Sequence, residues 1–122
     1  MTPDTYALRV LVAGGRNYSN AARIDEVLSR FSISELAQGG ASGADALACK
    51  WAADRLIPVR TFNADWPQYG KAAGMIRNEE MLLAFKPDLV LIFPGGNGTA
   101  NMYKTALKHG YLVGSSIILV PL

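Results

Sequence analysis

Arg77 and Asp45 are the charged residues whose neighbours point most directly to chemistry. Arg77 precedes Asn78 and follows the glycines Gly70 and Gly74, which places it in the first turns of a helix. A guanidinium there can grip a phosphate through two parallel N–H donors. The plainer alternative is a solvated arginine paired with Glu79 or Glu80. Asp45 ends Ser42-Gly43-Ala44-Asp45, the pattern in which a serine caps a helix and the acid three residues later completes a capping box. Its carboxylate either serves that cap or accepts hydrogen bonds from a ribose or a base.

Three glycine-rich turns accompany these two residues: Gly14-Gly15-Arg16-Asn17, Gly39-Gly40-Ala41-Ser42-Gly43 and Pro94-Gly95-Gly96-Asn97-Gly98-Thr99. Glycine lets backbone N–H groups approach a ligand without a Cβ in the way. A helix that starts directly after such a turn offers unpaired donors and the positive end of its dipole, which suits an anion. One such turn is no more than a βα connection. Three on one edge of a sheet predict a crevice lined by backbone donors and suited to phosphate. The expected ligand-binding set is Gly14, Gly15, Arg16, Asn17, Gly39, Gly40, Ser42, Asp45, Arg77, Asn78, Pro94, Gly95, Gly96, Asn97, Gly98 and Thr99. Neither Gly-x-x-x-x-Gly-Lys-Ser/Thr nor Gly-x-Gly-x-x-Gly occurs, so the P-loop and the ordinary dinucleotide fingerprint are absent. Trp66 and Tyr69 either stack on a base or, as the favoured reading, cover a helix.

The elements that position these residues follow from hydrophobic periodicity. Tyr6 to Ala13, Ser32 to Gln38, Val59 to Phe62, Leu89 to Phe93 and Ser116 to Val120 read as strands. Asn20 to Phe31, Ala44 to Leu56, Gly74 to about Phe85, and Thr99 to His109 read as helices, with Asn63 to Gly70 irregular. The Leu89 strand is apolar on both faces, as in a parallel strand covered on both sides. Strands and helices alternate with short connections, which predicts an α/β fold: one Rossmann-like domain over residues 1–122, a parallel sheet of about five strands with helices on both faces. Ligands of such sheets bind outside the carboxyl ends of the strands, where strand order reverses.

Composition narrows the function classes. The chain has 122 residues, half of them hydrophobic and 18% charged, which is enough for a core and too well mixed for disorder. No apolar run approaches a membrane span, and Met-Thr-Pro-Asp-Thr lacks a basic start or signal-peptide core, so no membrane is expected and the cytoplasm is the default location. A net charge of +2, with cations scattered among acids, gives weak support for nucleic acid as the main partner. Cys49 and His109 are the only residues of their kinds, which argues against a disulfide, a metal site and a Ser-His-Asp triad. No metal or cofactor is expected. His109, beside Gly110 at a helix end, is expected to meet the last carbonyls.

Several motifs occur together and in order: Val12-Ala13-Gly14-Gly15-Arg16-Asn17-Tyr18, Gly39 to Asp45, Ala64-Asp65-Trp66, Tyr69 to Asn78, and Phe93 to Thr99. Together they resemble the YspA/cpYpsA-related branch of the SLOG superfamily, which groups Smf/DprA proteins with the Lonely-Guy phosphoribohydrolases. The resemblance implies a Rossmann-like fold that holds a nucleotide or nucleotide-derived small molecule between the glycine loops. Lonely-Guy enzymes release a base from nucleoside monophosphates and pair Met-x-x-Arg-Lys with Pro-Gly-Gly-x-Gly-Thr-x-x-Glu. Here Arg77 matches the arginine, Asn78 stands in place of lysine, and Met102 occupies the glutamate position. A sensor or ligand-binding module is therefore the leading expectation. The alternative is an N-glycosidase with Asp45 as acid or electrostatic group and Arg77 on phosphate, since an oxocarbenium-like state needs a carboxylate nearby. Single-stranded DNA binding, as in DprA, ranks last. The resemblance also implies a homo-oligomer.

Overall fold

The computed structural model describes residues 7–115. Five parallel strands form one sheet: β1 (Leu8–Ala13), β2 (Ile33–Gln38), β3 (Val59–Thr61), β4 (Leu89–Ile92) and β5 (Val113–Ser115), in the order β3-β2-β1-β4-β5. Helices α1 (Ala21–Leu28), α2 (Ala44–Asp54), α3 (Trp66–Tyr69), α4 (Ala73–Phe85) and α5 (Asn97–Lys108) fill the connections, with a 3-10 turn at Gly70–Ala72. The Rossmann-like α/β reading therefore holds.

Alternation along the central strands divides the core into two layers. Val10 and Val12 of β1, with Leu89 and Leu91 of β4, pack against Ile24, Val27 and Leu28 of α1 and Ala48 and Trp51 of α2. Leu11 and Ala13, with Val90 and Ile92, pack on the other face against Met81, Leu82 and Phe85 of α4 and Met102 and Ala106 of α5. Asp25 of α1 accepts from Trp51 Nε1 at 2.8 Å and Arg55 Nη2 at 2.7 Å, tying α1 to α2. β1 pairs with β2 on one side and β4 on the other, with Val12 opposite Leu91 and Ala13 opposite Ile92. Strand order reverses between β1 and β4.

Helix ends close as backbone chemistry requires. The chain leaves α5 through Gly110, in a left-handed conformation at φ 80°, with Tyr111 N–H bonded to Ala106 O and Gly110 N–H to Leu107 O. The end of α2 repeats that bonding, with Ile57 N–H to Ala52 O and Leu56 N–H to Ala53 O, but leucine occupies the left-handed position at φ 59°. Lys86, also left-handed, stops α4 just before Pro87.

Some boundaries differ from the sequence reading. The stretch from Asn63 to Gly70 is not wholly irregular: Asp65 caps α3 by accepting from Gln68 N–H at 3.2 Å, with Pro67 in the first turn. Helix α5 begins at Asn97 rather than Thr99. The last strand within the described residues is Val113–Ser115, set by pairing of Val90 with Val113; the expected strand at Ser116 to Val120 lies outside the described residues, as does Tyr6. No helix among the described residues is long and apolar enough to cross a membrane.

Candidate functional site

At the β1–β4 switch point a crevice of about 520 Å³ opens along the carboxyl edge of the sheet. That size and position are those of a small-molecule site in a parallel α/β sheet. Its floor comes from two of the glycine loops. Gly15 N–H donates to Pro94 O at 2.8 Å, and a Cβ at Gly15 would lie 2.8 Å from that same oxygen. A Cβ at Gly95 would lie 2.6 Å from Gly15 N, and one at Gly14 would meet the side chains of Ala44 and Phe93. Gly15 and Gly95 thus let the loops after β1 and β4 lie main chain against main chain, while Gly14 makes room for Ala44 and Phe93. Gly96 and Gly98 differ, since a Cβ on either would meet only open space. They stand at the start of α5, whose N-cap is Gly96 and whose first N–H groups receive no side-chain cap.

The loop after β2 supplies the second wall. Gln38 anchors it, donating to Thr61 Oγ1 and accepting from Gly40 N–H, each at 2.6 Å. Asp45, only 5% exposed, accepts from Gly39 N–H and Ala41 N–H through one oxygen, Oδ2, both at 3.2 Å. Ser42 is not the cap of α2. The N-cap is Gly43, at φ 76°, where a Cβ would strike Gly15 O, and Ala44 N–H bonds to that oxygen at 3.1 Å. Ser42 Oγ donates instead to Arg16 O at 3.0 Å. Thus the capping box fails because the chain enters α2 through a left-handed glycine, and Asp45 is released to organise the β2 loop.

Arg77 reaches this loop from α4. Its Nη1 donates to Gly39 O and, at 3.2 Å, to Phe62 O, and its Nε donates to Asn78 Oδ1 at 3.0 Å. It does not pair with Glu79 or Glu80; Glu79 instead meets His109 Nε2 at 2.9 Å, so His109 bridges α5 to α4 rather than meeting the last carbonyls of its own helix. Burial pushes the Asp45 carboxyl up from its ordinary range, opposed by its two backbone donors and by the charges of Arg77 and Arg16. Burial pulls the Arg77 guanidinium down while Asp45 supports its charge and Arg16 opposes it. Asn78, also buried, donates to Gly98 O at 3.2 Å and Asn101 Oδ1 at 3.0 Å, so both amide protons are taken in joining α4 to the start of α5.

Most of the expected site residues converge here. Gly14, Gly15, Arg16, Gly39, Asp45, Arg77 and Asn78 line the crevice, as do Gly96, Asn97, Gly98 and Thr99. Gly40 and Ser42 line a smaller neighbouring cavity of about 240 Å³. Asn17, Pro94 and Gly95 line neither; the main chain of Pro94 and Gly95 packs instead against Gly15. The crevice adds Trp66, Lys71 and Met75, which the sequence reading left outside the site. Trp66 does more than cover a helix: Arg16 lies over its ring at 5.0 Å from the centroid, and the ring stands beside Gly74. Met102, at the position of the Lonely-Guy glutamate, is fully buried in the layer beneath α4 and α5 and lines neither of these cavities. Among the described residues no group of three His, Cys, Asp or Glu side chains is placed to hold a metal.

A five-stranded parallel sheet with helices on both faces and a crevice at its switch point defines a Rossmann-like α/β protein. The model of the YspA, cpYpsA-related SLOG family matches residues 8–69, and the chain belongs to that family. The Gene 61 protein of Mycobacterium phage D29 is 33% identical over 115 residues, covering 84% of this chain and 90% of that protein. Among solved structures, a UDP-N-acetylglucosamine 2-epimerase superposes with a TM-score of 0.56 at 18% identity, covering 89% of this chain and 33% of that one. The UDP-GlcNAc 2-epimerase from Methanocaldococcus jannaschii gives a TM-score of 0.46 at 16% identity, covering 88% and 30%. The chain therefore spans about a third of each epimerase, and the first of these likenesses concerns the fold alone.

Proposed function

We propose that this protein binds a phosphate-bearing nucleotide or nucleotide derivative in the β1–β4 crevice, as a sensor or ligand-binding module. The observation that carries the reading is the start of α5, where uncapped N–H groups and two glycines with open space above them stand in the same crevice as Arg77. A phosphate there gains the helix-terminal donors and a cation at once. The sugar lies toward Asp45, whose Oδ1 is free of the backbone bonds made by Oδ2. Calorimetry with a panel of nucleotides at low and physiological salt tests this. Binding that weakens with Gly98→Val or Arg77→Ala supports it, and a panel with no binder overturns it.

A second reading, cleavage of nucleoside monophosphates at the glycosidic bond, is favoured by one observation. Asp45 is a buried carboxyl within the coulombic reach of Arg77, and its raised pKa is a property of catalytic acids. Chromatography of free base after incubation with nucleoside monophosphates decides between the two. Release that disappears in Asp45→Asn supports catalysis, and no release leaves the binding module.

A further inference from the structure

Two cavities meet at a junction formed by residues common to both, chiefly Arg16, Trp66, Arg77 and the Gly39 main chain. Arg16 comes from the loop after β1 and Arg77 from α4, so two distant elements each bring a guanidinium to one place. Arg77 holds the carbonyls of Gly39 and Phe62, while Arg16 rests on the Trp66 ring. Both cations line the same junction and repel each other, and Asp45, the acid that lines the larger cavity, is already bonded to two backbone N–H groups. An anion at the junction satisfies both cations. The space beyond it differs on the two sides. The larger cavity runs to the start of α5, whereas the smaller is walled by the Gly40–Ser42 main chain and by Asn63 and Ala64.

We infer that the ligand is two-sided: two nucleoside units joined through a diphosphate, which runs from the start of α5 to the cations Arg16 and Arg77, with one unit in each cavity. This deepens the nucleotide-binding reading and rests on it. A monophosphate fills the large cavity and leaves the small one empty. A joined ligand places its second hydroxylated ring against the polar main chain of Gly40–Ser42 and the Asn63 amide, with Trp66 at its edge. Because the two halves are tethered, the second binds as an intramolecular event and strengthens the whole.

Calorimetry tests this with the nucleoside 5′-monophosphates, the nucleoside 5′-diphosphates and the symmetric dinucleoside 5′,5′-diphosphates of adenosine, guanosine, cytidine and uridine. For at least one base the dinucleoside diphosphate binds about tenfold or more tighter than the nucleoside diphosphate. Ala64→Phe or Asn63→Phe, which fill the small cavity, remove that gain and leave monophosphate affinity within about twofold of wild type. Thermal unfolding confirms that each variant is folded, and the wild-type ratio decides alone should both unfold. No gain for any base, or a gain that survives both substitutions, overturns the inference while monophosphate binding keeps the parent reading. Absence of binding by every probe overturns both.

Discussion

The guanidinium of Arg77 occupies the space that a side chain at Gly39 would need. A Cβ on Gly39 would lie 2.6 Å from Arg77 Cζ, and Arg77 Nη1 donates to the Gly39 carbonyl. The two residues are 38 positions apart and fix each other: the missing side chain admits the cation, and the cation ties the β2 loop to α4.

Gly39→Ala is accordingly expected to displace the guanidinium and loosen the β2 loop. The overpacking costs about 1–3 kcal/mol of stability, read as a lowered denaturant midpoint at constant slope. Arg77→Lys keeps the charge but loses the forked donation to Gly39 and Phe62, at a cost of about 1–2 kcal/mol. If the lysine variant were as stable as wild type, the carbonyl contacts would be incidental.

Asp45 makes stability depend on pH. Burial raises its carboxyl above 3.8, its value in the unfolded chain, so over the range between 3.8 and the raised value the folded state holds more protons than the unfolded. Stability from this group is therefore fully present below pH 3.8 and falls as pH rises through the folded value. Asn at this position keeps an acceptor for both backbone donors, since a single oxygen of Asp45 receives them. Asp45→Asn should remove that downward slope and unfold no lower than wild type at neutral pH. The check is the difference in thermal midpoint between the two proteins across pH 4 to 8, about the range in which a buried carboxyl titrates.

Met102→Glu tests whether the Lonely-Guy carboxylate is missing by substitution alone. Met102 is buried among Met81, Leu82, Phe85 and Ala106, so a glutamate there enters an apolar layer without a partner. The expected loss is at least about 3 kcal/mol, with no release of base from nucleoside monophosphates. A stable and active Met102→Glu protein would show that the start of α5 rearranges to turn this position into the crevice.

Leu56 is 91% exposed and left-handed at φ 59°, at a helix end that otherwise matches the one closed by Gly110. The left-handed conformation costs a β-carbon residue about 1–2 kcal/mol, and the unfolded-state entropy of glycine returns about half of that. Leu56→Gly is expected to raise stability by about 0.5–1 kcal/mol and so to raise the unfolding temperature. An unchanged or lowered temperature would mean that the leucine packs in a way its exposure does not reveal.

Much of this architecture was legible because its signals are local. The run Leu89 to Phe93 ending in Pro94-Gly95-Gly96 marks a buried strand and a tight turn whatever surrounds it, and the pattern of Leu47, Ala48, Trp51 and Ala52 marks a helix. Asp65-Trp66-Pro67 was also readable, as a cap followed by proline in the first turn, yet the glycine and proline around it read as loop. What escaped is non-local. Ser42 looks like a cap until Gly15 O takes the Ala44 N–H from across the sheet edge. Arg77 reads as a phosphate clamp or a solvated cation until Gly39 and Phe62 present their carbonyls to it. Gly15 and Gly95 read only as glycines kept free for a ligand, whereas their small size also serves the contact between two loops.

That contact has a consequence for how such a site can change. The main chain of Gly15 on the crevice floor is pressed against that of Pro94 and Gly95, where a Cβ on either glycine would wedge the loops after β1 and β4 apart. The rim at Arg16, Trp66, Lys71 and Met75 is exposed and carries no strand. Substitution at the rim can therefore change the shape and charge of the crevice mouth one residue at a time, whereas a side chain added at Gly15 or Gly95 parts the two loops that hold the crevice together.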